Sequence, residues 1–180
     1  MDALLISAPE DLRWACGFSG SNGLLLWTGD RRVFATDGRY TEQAKDEVGG
    51  AEVHAPGYDL IGFLAGMEAI GSAARIGFAG DRVTVSTLQT WRERMPTVDW
   101  VPVPGLFDRE RASKQEDEVD RIRRAQAIAE RVLDDLLETI RPGRSEREVA
   151  ADIVAGLMRN GAERPSFEPI VASGARSALP

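Results

Sequence analysis

The chain has 180 residues, with one Cys, one His and a formal net charge of −7 at pH 7. That length is ample for a buried core, whereas a single Cys and a single His exclude an internal disulfide framework and a Cys/His zinc site. The acidic balance argues against nucleic-acid and anionic-membrane partners, and no apolar run approaches the roughly 20 residues that span a bilayer. Met1 is followed directly by Asp2, without the basic segment of a signal peptide, so we expect a cytoplasmic protein.

The first 110 residues alternate short apolar runs with turn residues. Strands are predicted at 3–6, 24–27, 33–36, 51–55, 75–78 and 100–103. Helices are predicted from Pro9, over 41–48, along Leu60, Phe63, Leu64, Met67 and Ile70, and along Val85, Leu88, Trp91 and Met95. The turn at 28–30 predicts an antiparallel hairpin, and the later strand–helix–strand order predicts parallel pairs. The segment is therefore expected to be an α/β domain with a mixed sheet and helices packed on it.

Composition changes near residue 110. Of the twelve aromatic residues, eleven lie at or before Phe107 and only Phe167 lies beyond it. Aromatic and β-branched residues favour sheet-rich cores, whereas the Ala, Arg, Glu and Leu of the later segment favour helix. We therefore predict one domain over residues 1–110 and the beginning of a second over 111–180.

The second segment has a helical pattern. Apolar residues at helical spacing predict a long helix over 119–140, ended by Pro142-Gly143. Ser145 and Glu148 have the spacing of a capping box, which predicts a second helix continuing to Gly161. Residues 166–172 are predicted to form a strand, with a turn beginning at Gly174.

Few side chains offer catalytic chemistry. Cys16 lies in an apolar stretch, which favours a buried, unreactive thiol, and His54 is interpreted as a structural or surface histidine of a strand. The acidic pairs 117–118 and 134–135 are interpreted as the solvated face of a helix. The glycine-rich stretch 17–23 lacks the Lys-Ser/Thr ending of a P-loop and leads into a strand, so we interpret it as a turn that orders the hairpin.

Arg39 is the candidate binding residue. It follows Asp37-Gly38 at the predicted end of a strand and precedes Tyr40, so its guanidinium could meet a carboxylate. The alternative is that Arg39 only pairs with a neighbouring acid at the strand end. The residues alone leave both interpretations open.

Four stretches, in this order along the chain, together resemble the Xaa-Pro peptidases, the prolidase and aminopeptidase P group. They are PEDLRW at 9–14 with GFSGSNG at 17–23, TDGRYTEQA at 36–44, KQEDEVDRIRRA at 114–125, and FEPIVASG at 167–174 with SALP at 177–180. Each stretch alone is a weak signal, whereas four in colinear order are specific. The resemblance covers the whole chain.

The resemblance implies a creatinase-like N-terminal domain followed by the first helices and strand of a pita-bread catalytic domain. It also implies hydrolysis of the bond before proline in peptides by two divalent metal ions, most often manganese, held by two Asp, one His and two Glu. In the family pattern the first active-site histidine follows Ser-Ala-Leu-Pro, and this sequence ends at Pro180. We therefore expect no catalytic residue and no metal ligand in these 180 residues, and no activity of this chain alone.

The resemblance further implies a homodimer in which the N-terminal domain leans over the active site of the partner subunit. On that basis Arg39 is the expected substrate-facing residue, and a proline-containing peptide is the expected substrate. Two alternatives remain at this point: a non-catalytic, peptidase-like interaction module, and a creatine-type amidinohydrolase that shares the fold without metals. The residues encoded beyond position 180 would distinguish them.

Overall fold

A computed structural model describes residues 1–67 and 75–178. The chain divides into two compact units, residues 1–113 and residues 114–180. Among the described helices, none is both long enough and apolar enough to cross a membrane.

The first unit alternates strands and helices. Its strands are β1 (Ala3–Ile6), β2 (Gly23–Thr28), β3 (Arg32–Thr36), β4 (Glu52–His54), β5 (Arg75–Phe78) and β6 (Asp99–Pro102). Its helices are α1 (Pro9–Cys16), α2 (Thr41–Glu47), α3 (Leu60–Ala65), α4 (Val85–Arg94) and α5 (Asp108–Ala112). All six predicted strands and the four predicted helices are confirmed, whereas α5 was not predicted. Ile70, assigned from the sequence to the third helix, lies outside the described residues.

The six strands form one mixed sheet in the order β4-β3-β2-β1-β5-β6. β2 is antiparallel to both of its neighbours, which the hairpin signal predicted for β3, and the other neighbouring strands are parallel. The carboxyl ends of the five other strands and the beginning of β2 therefore lie at the same edge of the sheet. β6 is an outer strand, which fits Pro102, because proline cannot donate to a central ladder.

Helices cover both faces of this sheet. On one face α3 and α4 bury a cluster that includes Leu64, Ile76 and Trp91. On the other face α1 and α2 bury a cluster that includes Phe18 and Phe34. Successive residues of a strand point to opposite faces, so a strand covered on both sides is apolar at consecutive positions. This explains the uninterrupted leucines at 24–26, all of which are buried.

The second unit consists of α6 (Glu116–Leu137), α7 (Glu146–Arg159) and an irregular segment that follows them. The two helices pack through Val132, Leu136 and Val149, the residues of this unit that are buried. The predicted capping box is confirmed: Ser145 Oγ accepts from the Glu148 amide at 3.3 Å, and Glu148 Oε2 accepts from the Ser145 amide at 2.8 Å.

Two predictions for the second unit are wrong. The long helix ends at Leu137 and does not reach Ile140, and there the Thr139 amide and hydroxyl both donate to the Leu136 carbonyl, at 2.9 and 2.8 Å. Residues 166–172 form no strand. A strand requires a partner that takes its backbone hydrogen bonds, and residues 114–178 contain no other strand.

The turn predicted from Gly174 is a short 3-10 helix over Gly174–Ala178. Leu179 and Pro180, the last residues of the SALP stretch, lie outside the described residues.

Candidate functional site

The candidate site lies where β3 ends. Asp37 follows the last residue of β3, and Gly38–Tyr40 forms a single 3-10 turn in which the Arg39 amide donates to the Asp37 side chain. Ligands of open α/β sheets bind beyond the carboxyl ends of the strands, which makes this edge the natural place to look for a binding residue.

Asp37 is fully buried, and its carboxylate accepts several hydrogen bonds. Its Oδ1 accepts from the backbone amide of Arg39 at 3.0 Å and from Arg39 Nε at 2.9 Å. Its Oδ2 accepts from Arg39 Nη2 at 2.9 Å and from Asn22 Nδ2 at 2.6 Å. The side-chain hydrogen bonds from Arg39 and then Asn22 hold the pKa of Asp37 well below its usual range. The carboxylate is therefore ionised at neutral pH.

One edge of the Arg39 guanidinium is held by Asp37, while the side chain as a whole remains largely exposed. Its Nε and Nη2 hold Asp37 in a bidentate pair, and the hydrogen bonds and charge of Asp37 raise the pKa of Arg39. The side chain nevertheless remains 58% exposed. The pairing with a neighbouring acid that the sequence left open is present, and it uses only two of the three guanidinium nitrogens.

Tyr40 and Ser21 extend the site with two hydroxyls. The Ser21 Oγ and Tyr40 OH atoms lie 2.7 Å apart, and this hydrogen bond lowers the pKa of Tyr40. The Tyr40 ring stands edge-on to the buried ring of Phe18, with centroids 5.7 Å apart. The guanidinium carbon of Arg39 is 5.2 Å from the centroid of the Tyr40 ring. Tyr40 therefore contacts Ser21, Phe18 and Arg39 at this corner of the sheet.

The glycine-rich loop 17–23 is ordered by a carboxylate of the chain itself. Glu47 accepts from the Ser19 amide at 2.7 Å and from the Ser19 hydroxyl at 2.8 Å, and Gln43 donates to it at 3.0 Å. Burial raises the pKa of Glu47, but the hydrogen bonds from Ser19 and Gln43 outweigh it, and the net shift is downward. Because Glu47 already takes the Ser19 amide, the loop is a structural turn, as predicted.

The other sequence candidates have surroundings of their own. Cys16 is buried, its Sγ donates to the Leu12 carbonyl at 3.2 Å, and burial raises the pKa of the thiol, which fits an unreactive residue. His54 belongs to β4, and its ring packs 5.1 Å from that of Phe63. The acidic pairs 117–118 and 134–135 lie on α6, in the second unit.

Sequence reasoning missed Asn22 as a member of the site and treated it only as a turn residue. The register of the hairpin places Gly23 opposite Thr36, so the preceding Asn22 lies next to Asp37. The Thr36 hydroxyl donates to the Asn22 carbonyl at 2.6 Å and fixes that arrangement. Counting the paired residues of β2 and β3 away from the turn at 28–30 would have placed Asn22 beside Asp37.

The described residues do not fit a metal centre. Within 1–67 and 75–178, no group of three or more His, Cys, Asp or Glu side chains is placed to hold a metal ion. The two-metal set implied by the resemblance cannot be assembled from them.

Comparison with known proteins assigns the family. A sequence model of the Creatinase/Prolidase N-terminal domain matches residues 1–113, more than half of the chain. The chain belongs to this family. Residues 120–180 match the model of metallopeptidase family M24. The expected family is thereby confirmed.

Relatives of this creatinase/prolidase chain match it over its whole length. It is 35% identical to the uncharacterized peptidase YqhT of Bacillus subtilis, over 100% of this chain and 51% of the relative. Among solved structures it is similar to a Xaa-Pro dipeptidase from Bacillus anthracis, with 33% identity, a TM-score of 0.92, and coverage of 99% of this chain and 50% of that one. An X-Pro aminopeptidase from Thermotoga maritima gives 32% identity and a TM-score of 0.89, over 100% of this chain and 53% of that one.

These likenesses confirm the predicted α/β fold class. The chain spans about half the length of the curated relatives it matches.

Proposed function

We propose that this chain is the N-terminal part of a metal-dependent peptidase that hydrolyses the bond before proline in peptides. The observation that carries the proposal is the order of the two matches: a creatinase/prolidase N-terminal domain over residues 1–113, then a family M24 metallopeptidase over 120–180. The similar solved structures are a Xaa-Pro dipeptidase and an X-Pro aminopeptidase, which supports a proline-containing peptide as substrate.

The organisation of the whole protein is part of the proposal. We place the domain boundary near residue 110, supported by the compact units that meet at residues 113 and 114. The proposed protein binds two divalent metal ions, and we propose manganese as the metal. Residues other than those described would hold them. A cytoplasmic location and a homodimer complete the proposal, and the homodimer rests on the family resemblance alone.

Arg39 is proposed as the residue of this domain that faces the substrate. The exposure of its side chain and its position beyond the carboxyl end of β3 support this role. Substrate oxygens, whether carboxylate or carbonyl, are acceptors that a guanidinium recognises well.

The proposed activity is tested by comparing two forms of the protein in a Xaa-Pro hydrolysis assay with added manganese. One form is the 180-residue chain, and the other is a chain extended to the length of its relatives. We expect hydrolysis by the extended form only, abolished by a chelator and restored by the metal. Activity of the 180-residue form would contradict the proposal.

A non-catalytic interaction module is the second candidate, since residues 1–67 and 75–178 hold no cluster of metal-ligating side chains. It predicts that the extended form is also inactive with every divalent metal tried. The same assay therefore decides between the two candidates.

Replacing Arg39 by alanine in the extended protein is expected to raise KM for a Xaa-Pro substrate roughly tenfold, the equivalent of one charge-assisted hydrogen bond. The kcat should change less, because Arg39 would bind the substrate without touching the reacting atoms. Steady-state kinetics measures both constants. Unchanged kinetics would remove Arg39 from the site.

A further inference from the structure

The guanidinium of Arg39 has two usable edges. An arginine side chain carries five N–H donors in a rigid plane. In Arg39 one edge, formed by Nε and Nη2, is held by Asp37 at 2.9 Å on both nitrogens. Three donors remain, two on Nη1 and one on Nη2, and one N–H from each of these nitrogens forms a second parallel fork at the end of the side chain. That fork has the geometry that matches a planar oxygen acceptor.

We propose that Asp37 is a positioning residue, which fixes Arg39 so that its Nη1–Nη2 edge is presented to an oxygen acceptor of the substrate. This inference rests on the proposed function, because it requires Arg39 to face the substrate. Asp37 itself is fully buried and does not reach the substrate in this role.

The constraint on Arg39 begins in the sheet. β2 and β3 are paired so that the Thr36 hydroxyl holds the Asn22 carbonyl at 2.6 Å. Asn22 Nδ2 in turn donates to Asp37 Oδ2 at 2.6 Å, which prevents the carboxylate from rotating. Asp37 then holds the Arg39 side chain at two points. A long side chain that is ordered before binding loses less conformational entropy when the substrate arrives.

A purely electrostatic role and a positioning role of Asp37 predict opposite changes in KM for the substrate. The Asp37 carboxylate is ionised and offsets the positive charge of Arg39. If its influence on the substrate were only electrostatic, Asp37→Asn would leave Arg39 with an uncompensated charge and would lower KM for an anionic substrate. If Asp37 positions Arg39, the same substitution breaks the bidentate pair and raises KM. The sign of the change separates the two roles.

The test compares Asp37→Asn, Asn22→Ala and Arg39→Ala in the extended protein, singly and combined. We expect Asp37→Asn to raise KM roughly five- to tenfold with little change in kcat, and Asn22→Ala to raise it by a smaller factor. In the Arg39→Ala background, neither substitution should raise KM further, because the residue they act through is gone.

Arg31 provides the matched control. It pairs with Glu52 at 3.0 Å in the same sheet, with a similarly exposed side chain, but beyond the opposite edge. Arg31→Ala should leave KM unchanged. A rise equal to that of Asp37→Asn would show a general effect of broken ion pairs and would overturn the positioning role.

The restraint on Arg39 can also be observed without activity, by NMR of its guanidinium in the 180-residue chain. We expect slow rotation about Nε–Cζ in the native chain and faster rotation in Asn22→Ala, which keeps the carboxylate and serves if Asp37→Asn fails to fold. Unchanged KM for Arg39→Ala would contradict the substrate-facing role itself. A raised KM for Arg39→Ala with an unchanged or lowered KM for Asp37→Asn would contradict only the positioning role.

Discussion

Replacing Phe34 by alanine is expected to destabilise the first unit by about 3–5 kcal/mol. Phe34 lies in the middle of β3 and has no exposed surface. Its ring centroid is 4.6 Å from that of Phe18, and its ring covers Gly23, where a methyl group would come within 2.7 Å of it. Alanine would leave a cavity between a rigid sheet and the helices α1 and α2, and such a cavity collapses only partially.

Urea denaturation followed by tryptophan fluorescence measures this effect, because all four tryptophans lie within residues 1–113. The control is Val85→Ala, since Val85 is also apolar but 86% exposed. We expect that control to change the free energy of unfolding by no more than about 0.5 kcal/mol. Equal midpoints for the two variants would mean that the Phe18–Phe34 contact does not support the fold.

The sheet of the first unit was predictable because its signals are local. The turn at 28–30 joins two apolar runs, and the resulting β2–β3 hairpin lies within the observed sheet, with a further strand on each side. Pro9 and the acids behind it begin α1, as proline and negative charge favour a helix start. Pro102 was expected at a strand end or an outer strand, and β6 is an outer strand. Each of these inferences needs only the residues of one element and its turn.

The wrong and missed predictions concern features that depend on residues elsewhere in the structure. Residues 166–172 have the composition of a strand, but a strand also depends on a partner, and the second unit supplies none among residues 114–178. Phe167 and Ile170 are consequently 74% and 85% exposed. Asn22 became part of the site through the register of two strands, which single-residue propensities do not contain. The short α5 has no apolar periodicity by which to recognise it.

Gly17→Ala is expected to destabilise the first unit by about 2–5 kcal/mol. Gly17 ends α1 with φ +87°, and its amide donates to the Arg13 carbonyl at 3.0 Å. That left-handed conformation costs an alanine about 1–2 kcal/mol more than a glycine. The added methyl group would also lie 2.7 Å from the backbone carbonyl oxygen of Glu47, and overpacking of this kind adds about 1–3 kcal/mol.

The backbone around Gly17 has little freedom to move away from a methyl group. The Gly49 amide donates to the Cys16 carbonyl at 2.8 Å, so the ends of α1 and α2 are held backbone to backbone. The control is Gly29→Ala, because a methyl group at Gly29 meets no atom within 4 Å and its φ is not positive. Urea denaturation of both variants should separate them by at least about 2 kcal/mol. Equal stability would mean that the α1–α2 junction can widen, and that the Ser19–Glu47 hydrogen bonds alone order the loop before β2.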